Sequence, residues 1–239
     1  MNKGISFLIF AKDVGTDIFG TVNSVIEAAE NVNVNYEIVI VDDGSSVPIG
    51  IESIKGNAAE KTHLLRIENS VGISGAIVKG LPFCSFEHVL PVPGHNMFSN
   101  QAIENVISLA GQGRLVIGCR NNLAAERPLI KKLASRVLRD TYRHLTFYFV
   151  GDIHGLILYR RDDLERFLSP SGRHTNAIRV VTPIVVEGGL LLQTIAPITN
   201  GHDKRPSRKL RHAFPAPENV VAVIKALFWA RRYYKKRVY

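Results

Sequence analysis

Short apolar runs recur through the first half of this chain, reading ISFLIF, YEIVIV, HLLRI, HVLPV and RLVIG, with helical patterns between them near residues 16–30, 50–60, 72–82 and 99–110. The runs are continuously apolar rather than alternating, which is how a strand covered on both faces reads, and the connections are short. That combination predicts a mostly parallel sheet with helices packed on both sides, an α/β architecture. After Cys119 the rhythm changes to a long cationic helical stretch near 125–146, a strand in GLILYRR, a mixed segment up to Gly189 and a strand in LLLQTIAPI. The Pro-rich FPAPEN then leads into a final helix. Internal repeats and low-complexity segments are absent from the sequence.

With 239 residues, 46% of them hydrophobic, the chain can bury a substantial core. The opening MNKGISFLIFAKD has only a short apolar run before Lys12 and Asp13, so it is expected to be a core strand rather than a secretory signal or a membrane span. Cys84 and Cys119 are too few for a disulfide framework and lack metal-ligand spacing, which suits reduced thiols in a cytoplasmic protein. Charge is unevenly placed. Eleven Lys or Arg from residue 200 onward, against Asp203 and Glu218, carry the whole net charge of +9, and the preceding body is neutral. A partner for positive charge is therefore to be sought at the C-terminal end.

Two strand ends carry chemistry. YEIVIVDDGSS delivers Asp42 and Asp43 together into a Gly-Ser turn. Adjacent carboxylates repel, so the pair either caps the turn and the next helix or meets a donor-rich ligand such as a nucleobase and ribose. VLPVPGHNMF ends an extended run in a Pro-Gly turn that presents His95 and Asn96. In open α/β sheets, carboxyl ends of strands are where ligands bind.

EIVIVDDGSS, then NSVGISGAIVKG from Asn69 to Gly80, then a strand ending near residue 93, resembles the family-2 inverting glycosyltransferases of the GT-A fold. SFLIFAKD followed by TVNSVIEA also looks like that family's opening, with Asp13 at a position usually held by Asn. The resemblance covers most of the chain and is strongest from residue 5 to 120. It implies a Rossmann-like, mostly parallel sheet flanked by helices in a single domain over 1–216, with a nucleotide-binding half at about 1–118 and an acceptor-side half at about 119–216. A basic amphipathic helix at 217–239 follows. By the same resemblance Asp42 and Asp43 face the nucleobase and ribose of a nucleotide sugar, and Asp13, Gly44, Asn69 and Gly72 belong to that nucleotide-binding set. The family's fourth strand usually ends in Asp-x-Asp, whose oxygens hold Mg²⁺ or Mn²⁺ against the sugar diphosphate. Here the triplet is Pro93-Gly94-His95, similar to bacterial members whose turn reads Pro-Gly-Asp-Asn, with an imidazole in place of the metal-facing acid. Imidazole accepts Mn²⁺ but suits Mg²⁺ poorly, so metal binding is expected to be weak or absent. His95 is then a metal ligand, a diphosphate contact or a histidine satisfied within the turn. The cations expected on the diphosphate are Arg120, Arg127 and, from GHDKRPSRKLR, His202, Arg205 and Arg208.

Inverting transfer to a hydroxyl needs a base, which the family supplies from a helix before the last strand; this chain reads NAIRVVTPIVVEGG there, with Arg179 in the expected region and Glu187 late. Asp152 in VGDIHGLILYRR is the remaining candidate for base or acceptor contact, or else a loop aspartate at a turn. A phosphate acceptor needs no base. In the final helix Val220, Val223, Ile224, Leu227 and Phe228 share a face beside aromatics interleaved with cations. This suits an anionic membrane surface or a docked helix with a solvated basic end. Nucleic acid, the competing partner, is disfavoured by the neutral body. The expected function is glycosyl transfer from a nucleotide sugar to a cell-surface glycan, glycolipid or polyprenyl-phosphate acceptor at the inner membrane face. The rival is a noncatalytic nucleotide-sugar-binding or scaffold protein on the same fold. A nucleotidyltransferase would carry a Gly-rich, Arg-containing loop after the first strand, and this chain does not.

Overall fold

The middle layer of the computed structural model is a seven-stranded sheet in the order β3-β2-β1-β4-β6-β5-β7. Its strands are β1 (Asn2–Ala11), β2 (Tyr36–Asp43), β3 (Thr62–Ile67), β4 (Phe86–Pro93), β5 (Leu115–Cys119), β6 (Leu156–Arg160) and β7 (Leu191–Ile195). The helices are α1 (Asp17–Val32), α2 (Asn57–Glu60), α3 (Gly72–Gly80), α4 (Asn100–Ile107), α5 (Leu129–Thr146), α6 (Arg161–Phe167), α7 (Asn176–Val186) and α8 (Pro217–Val238). The structure describes residues 2–50, 57–121, 129–146, 150–152, 155–169, 176–198 and 217–238.

Successive side chains of a strand point to opposite faces, and β1 divides accordingly. Ile5, Phe7 and Ile9 pack with Val22 and Val25 of α1 and with Ile103 of α4, while Leu8 joins the other core with residues of α3, α5, α6, α7 and α8. On α1 the buried Ile18, Val22, Val25 and Ala29 follow the helical period. The helix stops at Asn33, left-handed at φ 54°, whose N–H reaches the carbonyls of Ala29 and Glu30.

The expected architecture is present, and the structure adds three particulars. First, β6 runs antiparallel to both β4 and β5. Second, the mixed segment before Gly189 contains α6 and α7. NAIRVVTPIVV is rich in β-branched residues and contains Pro183, yet it is helical because Ile178, Val181, Ile184 and Val185 bury one face, and tertiary burial overrides local propensity. Third, the C-terminal helix docks on the core, one of the two readings its sequence left open. Ala226, Leu227 and Ala230 are buried in the cluster shared with α7 and α5, and Val223 packs against it. The expected apolar stripe is therefore split: Val223 and Leu227 face inward, while Ile224 (47% exposed) and Phe228 (65%) face outward with Val221 (49%). The Val220 side chain lies outside the described residues.

The late carboxylate Glu187 accepts bonds from Arg114 Nη2 (3.3 Å), Arg166 Nη1 (3.3 Å) and the Tyr233 hydroxyl (3.1 Å). Arg114 also holds Asp163 with two N–H groups. This network ties α6 and α8 to the amino end of β5. It lies at the opposite edge from the strand carboxyl ends, so Glu187 serves the fold and is not placed to act as a base there.

His88, on β4, is 8% exposed, and among the described residues its Nε2 has no hydrogen-bond partner. Burial lowers its pKa from the ordinary 6.5, Glu87 opposes and Arg160 adds to the lowering. The unfolded chain therefore takes up a proton that the folded chain resists, and stability should be lost as pH falls below about 6.5. Denaturation midpoints at pH 7.5 and 5.5 should differ more for the native chain than for His88→Leu; equal differences would exclude this histidine as the cause.

Candidate active site

The carboxyl ends of β1 to β5 and the amino end of β6 share one edge of the sheet. Strand order reverses between β1 and β4, which is the position where open α/β sheets form a ligand crevice. Asp42, 1% exposed, spends its carboxylate on the turn that follows. Oδ1 accepts from Ser45 N (2.9 Å), and Oδ2 accepts from Ile49 N (3.2 Å) and Arg66 Nη1 (2.6 Å). Burial acts to raise its pKa, but the bonds from Ser45, Ile49 and Arg66 outweigh it and hold the carboxyl below the ordinary value.

Asp43 turns to the next helix. Its Oδ1 accepts from Val71 N (2.7 Å), and its Oδ2 accepts from Ser70 Oγ (2.8 Å) and Gly72 N (2.9 Å), so the carboxylate caps the positive end of α3. Between these loops sits Gly44 at φ +71°, where an added Cβ would lie 3.1 Å from Glu68 O and Ser70 N. Asp13, at φ 50°, donates its N–H to Ser45 Oγ (2.9 Å) and accepts from Ser46 N (2.7 Å). Gly72 has φ +77°, and Asn69 is exposed beside it. The expected nucleotide-binding residues are thus assembled in one set of interlocked turns. The two carboxylates cap the turn and the next helix, one of the two readings the sequence left open, and Arg66 adds a charge that the sequence reading did not assign. Arg66 was legible in principle: it is the one permanently charged residue in THLLRI and stands directly opposite Asp42 in register.

The Pro-Gly-His-Asn turn is packed against β1 and α1. Gly94 N donates to Phe10 O (3.0 Å), and a Cβ on Gly94 would fall 2.7 Å from that of Ala11, so a larger residue would push the turn off the sheet. Asn96 adopts φ 50°, donates its N–H to Thr21 Oγ1 (2.9 Å) and lays its side chain over Gly20. His95, half-buried, lines a cavity of about 280 Å³ together with Pro93, Met97 and Phe98. Among the described residues no three His, Cys, Asp or Glu come together to hold a metal ion.

Arg120 and Asp152, expected on the diphosphate and as base respectively, are paired with each other. Arg120 Nε and Nη2 reach the carboxylate at 2.7 and 2.9 Å, and Arg120 N adds a third bond at 3.2 Å. Both side chains are mostly buried, at 8% and 13% exposure. Both carboxylate oxygens are engaged by the guanidinium, which fixes the group in place, so this geometry favours a positioning role for Asp152. Arg127, His202, Arg205 and Arg208 lie outside the described residues.

Solved structures share this architecture. Glucosyl-3-phosphoglycerate synthase from Mycobacterium tuberculosis in complex with UDP superposes with a TM-score of 0.65 and 15% identity, covering 96% of this chain and 80% of that one. The same synthase with Mn²⁺, UDP-glucose and phosphoglyceric acid gives 0.64 and 14%, with coverage of 96% and 80%. TarS 1–349 from S. aureus gives 0.56 and 13%, over 81% of this chain; this chain spans 59% of that one. At these identities the similarity establishes the fold. The sequence model of glycosyl transferase family 2 matches residues 6–168, more than half of the chain, and the protein belongs to that family.

Proposed function

We propose that the protein transfers a sugar from a nucleotide-sugar donor to a glycan, glycolipid or polyprenyl-phosphate acceptor, in cell-envelope polysaccharide synthesis at the inner face of the cell membrane. The observation that carries the donor half is the convergence of Asp13, Asp42, Asp43, Gly44, Asn69 and Gly72 on the carboxyl ends of β1 and β2, beside the switch point. The nucleobase and ribose meet the rim of these turns, using acceptor capacity that the internal bonds leave on the carboxylates. The diphosphate lies toward His95 and Arg120. Two N–H groups of the Arg120 side chain engage Asp152, and the rest of its fork remains for phosphate oxygens. Arg127, His202, Arg205 and Arg208 complete the cationic set in this reading.

Calorimetry with UDP, GDP and other nucleoside diphosphates tests the donor site: no binding by any of them to the folded protein would remove the reading. Turnover tests the rest. Release of nucleoside diphosphate from one member of a donor panel, in the presence of membrane extract, separates an active enzyme from a binding protein on the same fold.

With an imidazole where a carboxylate would ligate, donor affinity should change less than about tenfold between EDTA and Mg²⁺, with Mn²⁺ the better of the two ions. His95→Asp should increase the Mg²⁺ dependence. Strong native dependence on Mg²⁺ that survives His95→Asp unchanged would place the metal elsewhere.

Membrane association is motivated by the outward side of α8. Val221, Ile224 and Phe228 are exposed there, Leu133 (62%) and Val137 (56%) are exposed on the neighbouring α5, and Arg232, Lys235, Lys236 and Arg237 follow. Apolar side chains bordered by cations fit an anionic lipid surface. Ile224→Glu with Phe228→Glu leaves the docked seam in place and should lower partitioning onto phosphatidylglycerol vesicles at least tenfold. Salt should weaken native binding without abolishing it. Equal partitioning of native and variant protein would refute the lipid contact. No described helix is long and apolar enough to cross a membrane.

A further inference from the structure

We infer that the cavity beside His95 receives an apolar chain of the acceptor, which makes the acceptor an amphiphile. This rests on the donor reading above and adds to it the class of the second substrate. The cavity, about 280 Å³ and open on one side, is lined by Ile77 of α3, Pro93 of β4, Ile157 of β6, Leu168 beyond α6, and Ala177 and Val180 of α7. Its volume is just below the range of about 300–1,000 Å³ usual for whole ligand sites, so it suits one segment of a substrate rather than a complete nucleotide sugar.

Among the described residues, the polar side chains on its wall are Ser74, His95 and Tyr159. Tyr159 is 7% exposed, and burial alone pushes its phenol up. A sugar ring carries a hydroxyl on most carbons, and each one buried without a partner costs about 1–3 kcal/mol. These three side chains, on a wall whose described residues are otherwise apolar, offer such a ring few partners. A hydrocarbon segment instead gains about 0.8 kcal/mol for each methylene buried. The sugar therefore stays toward the strand ends, and the hydrocarbon enters the interior.

The helix layer points the same way. Ala177 and Val180 of α7 face the cavity, and α8 packs on α7 while exposing Ile224 and Phe228 among cations. α7 thus joins the cavity wall to the helix whose outer side is apolar and cationic.

The test uses the full chain, calorimetry at several temperatures and three probes: geranyl phosphate, decyl phosphate and inorganic phosphate. Either chain-bearing probe should bind at least tenfold tighter than inorganic phosphate, with a negative heat-capacity change from apolar burial. Preference for geranyl or decyl phosphate distinguishes an isoprenoid from an acyl source. Ala177→Phe and, as a second filling variant, Leu168→Phe should each reduce chain-probe affinity at least tenfold while nucleoside diphosphate binding is kept. Chain probes that bind no tighter than inorganic phosphate overturn the inference. So does chain binding that is unchanged in whichever filling variant is folded. Either result with intact nucleotide binding leaves the donor reading standing, whereas loss of all nucleotide binding by the native protein sinks that reading instead.

Discussion

Asp43→Asn is expected to abolish measurable nucleoside diphosphate binding while leaving the protein folded at reduced stability. The carboxylate is 5% exposed and accepts three bonds, from Ser70 Oγ and from the N–H groups of Val71 and Gly72. Asparagine keeps one acceptor oxygen and points an NH₂ at donors, so at least one helix N–H loses its partner, at about 1–3 kcal/mol. The turn carrying Asn69 and Gly72 then loses its anchor to β2. The ligand also loses a charged acceptor, which for a desolvated contact amounts to about 2–5 kcal/mol, on the order of 100-fold or more in affinity. Ser70→Ala is the control, because it removes one of the three bonds and leaves the charge; binding there should stay within about tenfold of native. A folded Asp43→Asn protein that binds nucleotide as the native one does would show that this carboxylate only caps α3.

Arg120→Ala should destabilise the fold by about 3–5 kcal/mol, because it leaves the Asp152 carboxylate buried without its partner. For a chain of this size that is a fall in melting temperature on the order of 10 °C. The double variant Arg120→Met, Asp152→Leu should recover much of the loss, since a buried pair replaced by apolar groups is often neutral. The same variants separate positioning from catalysis. If Asp152 acts only through Arg120, Asp152→Asn should weaken donor binding and lower stability together, with a pH–rate profile unchanged in shape. If it is the base, kcat should drop at least about 100-fold with donor affinity retained. Arg120→Ala with native melting temperature and native donor affinity would exclude both the structural pair and a diphosphate role.

How far the sequence reached is clearest at the strand ends. Continuous apolar runs identify buried strands from composition alone, because covering both faces of a parallel sheet leaves no position for polar residues. The turn at Asp42, Asp43 and Gly44 is legible for the same local reason: charged and flexible residues immediately after such a run mark a strand reaching its end. The antiparallel direction of β6 was not legible, since strand direction is a property of the connection and of pairing partners rather than of the strand's own residues. The split stripe of α8 shows the same limit. Val223, Ile224, Leu227 and Phe228 are all apolar and lie within one broad face, but which of them meets the core depends on the rotation at which α8 docks on α7 and α5.

The chain alone determined the α/β layering, the family, the turn that presents His95 and the concentration of positive charge at the C-terminal end, because each is written in residues close together in sequence. Tertiary structure decided what the charged groups do. It set Arg66 against Asp42, gave Asp43 to the start of α3, locked Arg120 to Asp152 across the end of the sheet and moved Glu187 to the opposite edge. Such pairings join residues far apart in the chain. A carboxylate's choice between a ligand, a helix end and a guanidinium is settled by distance and burial, which local sequence does not contain.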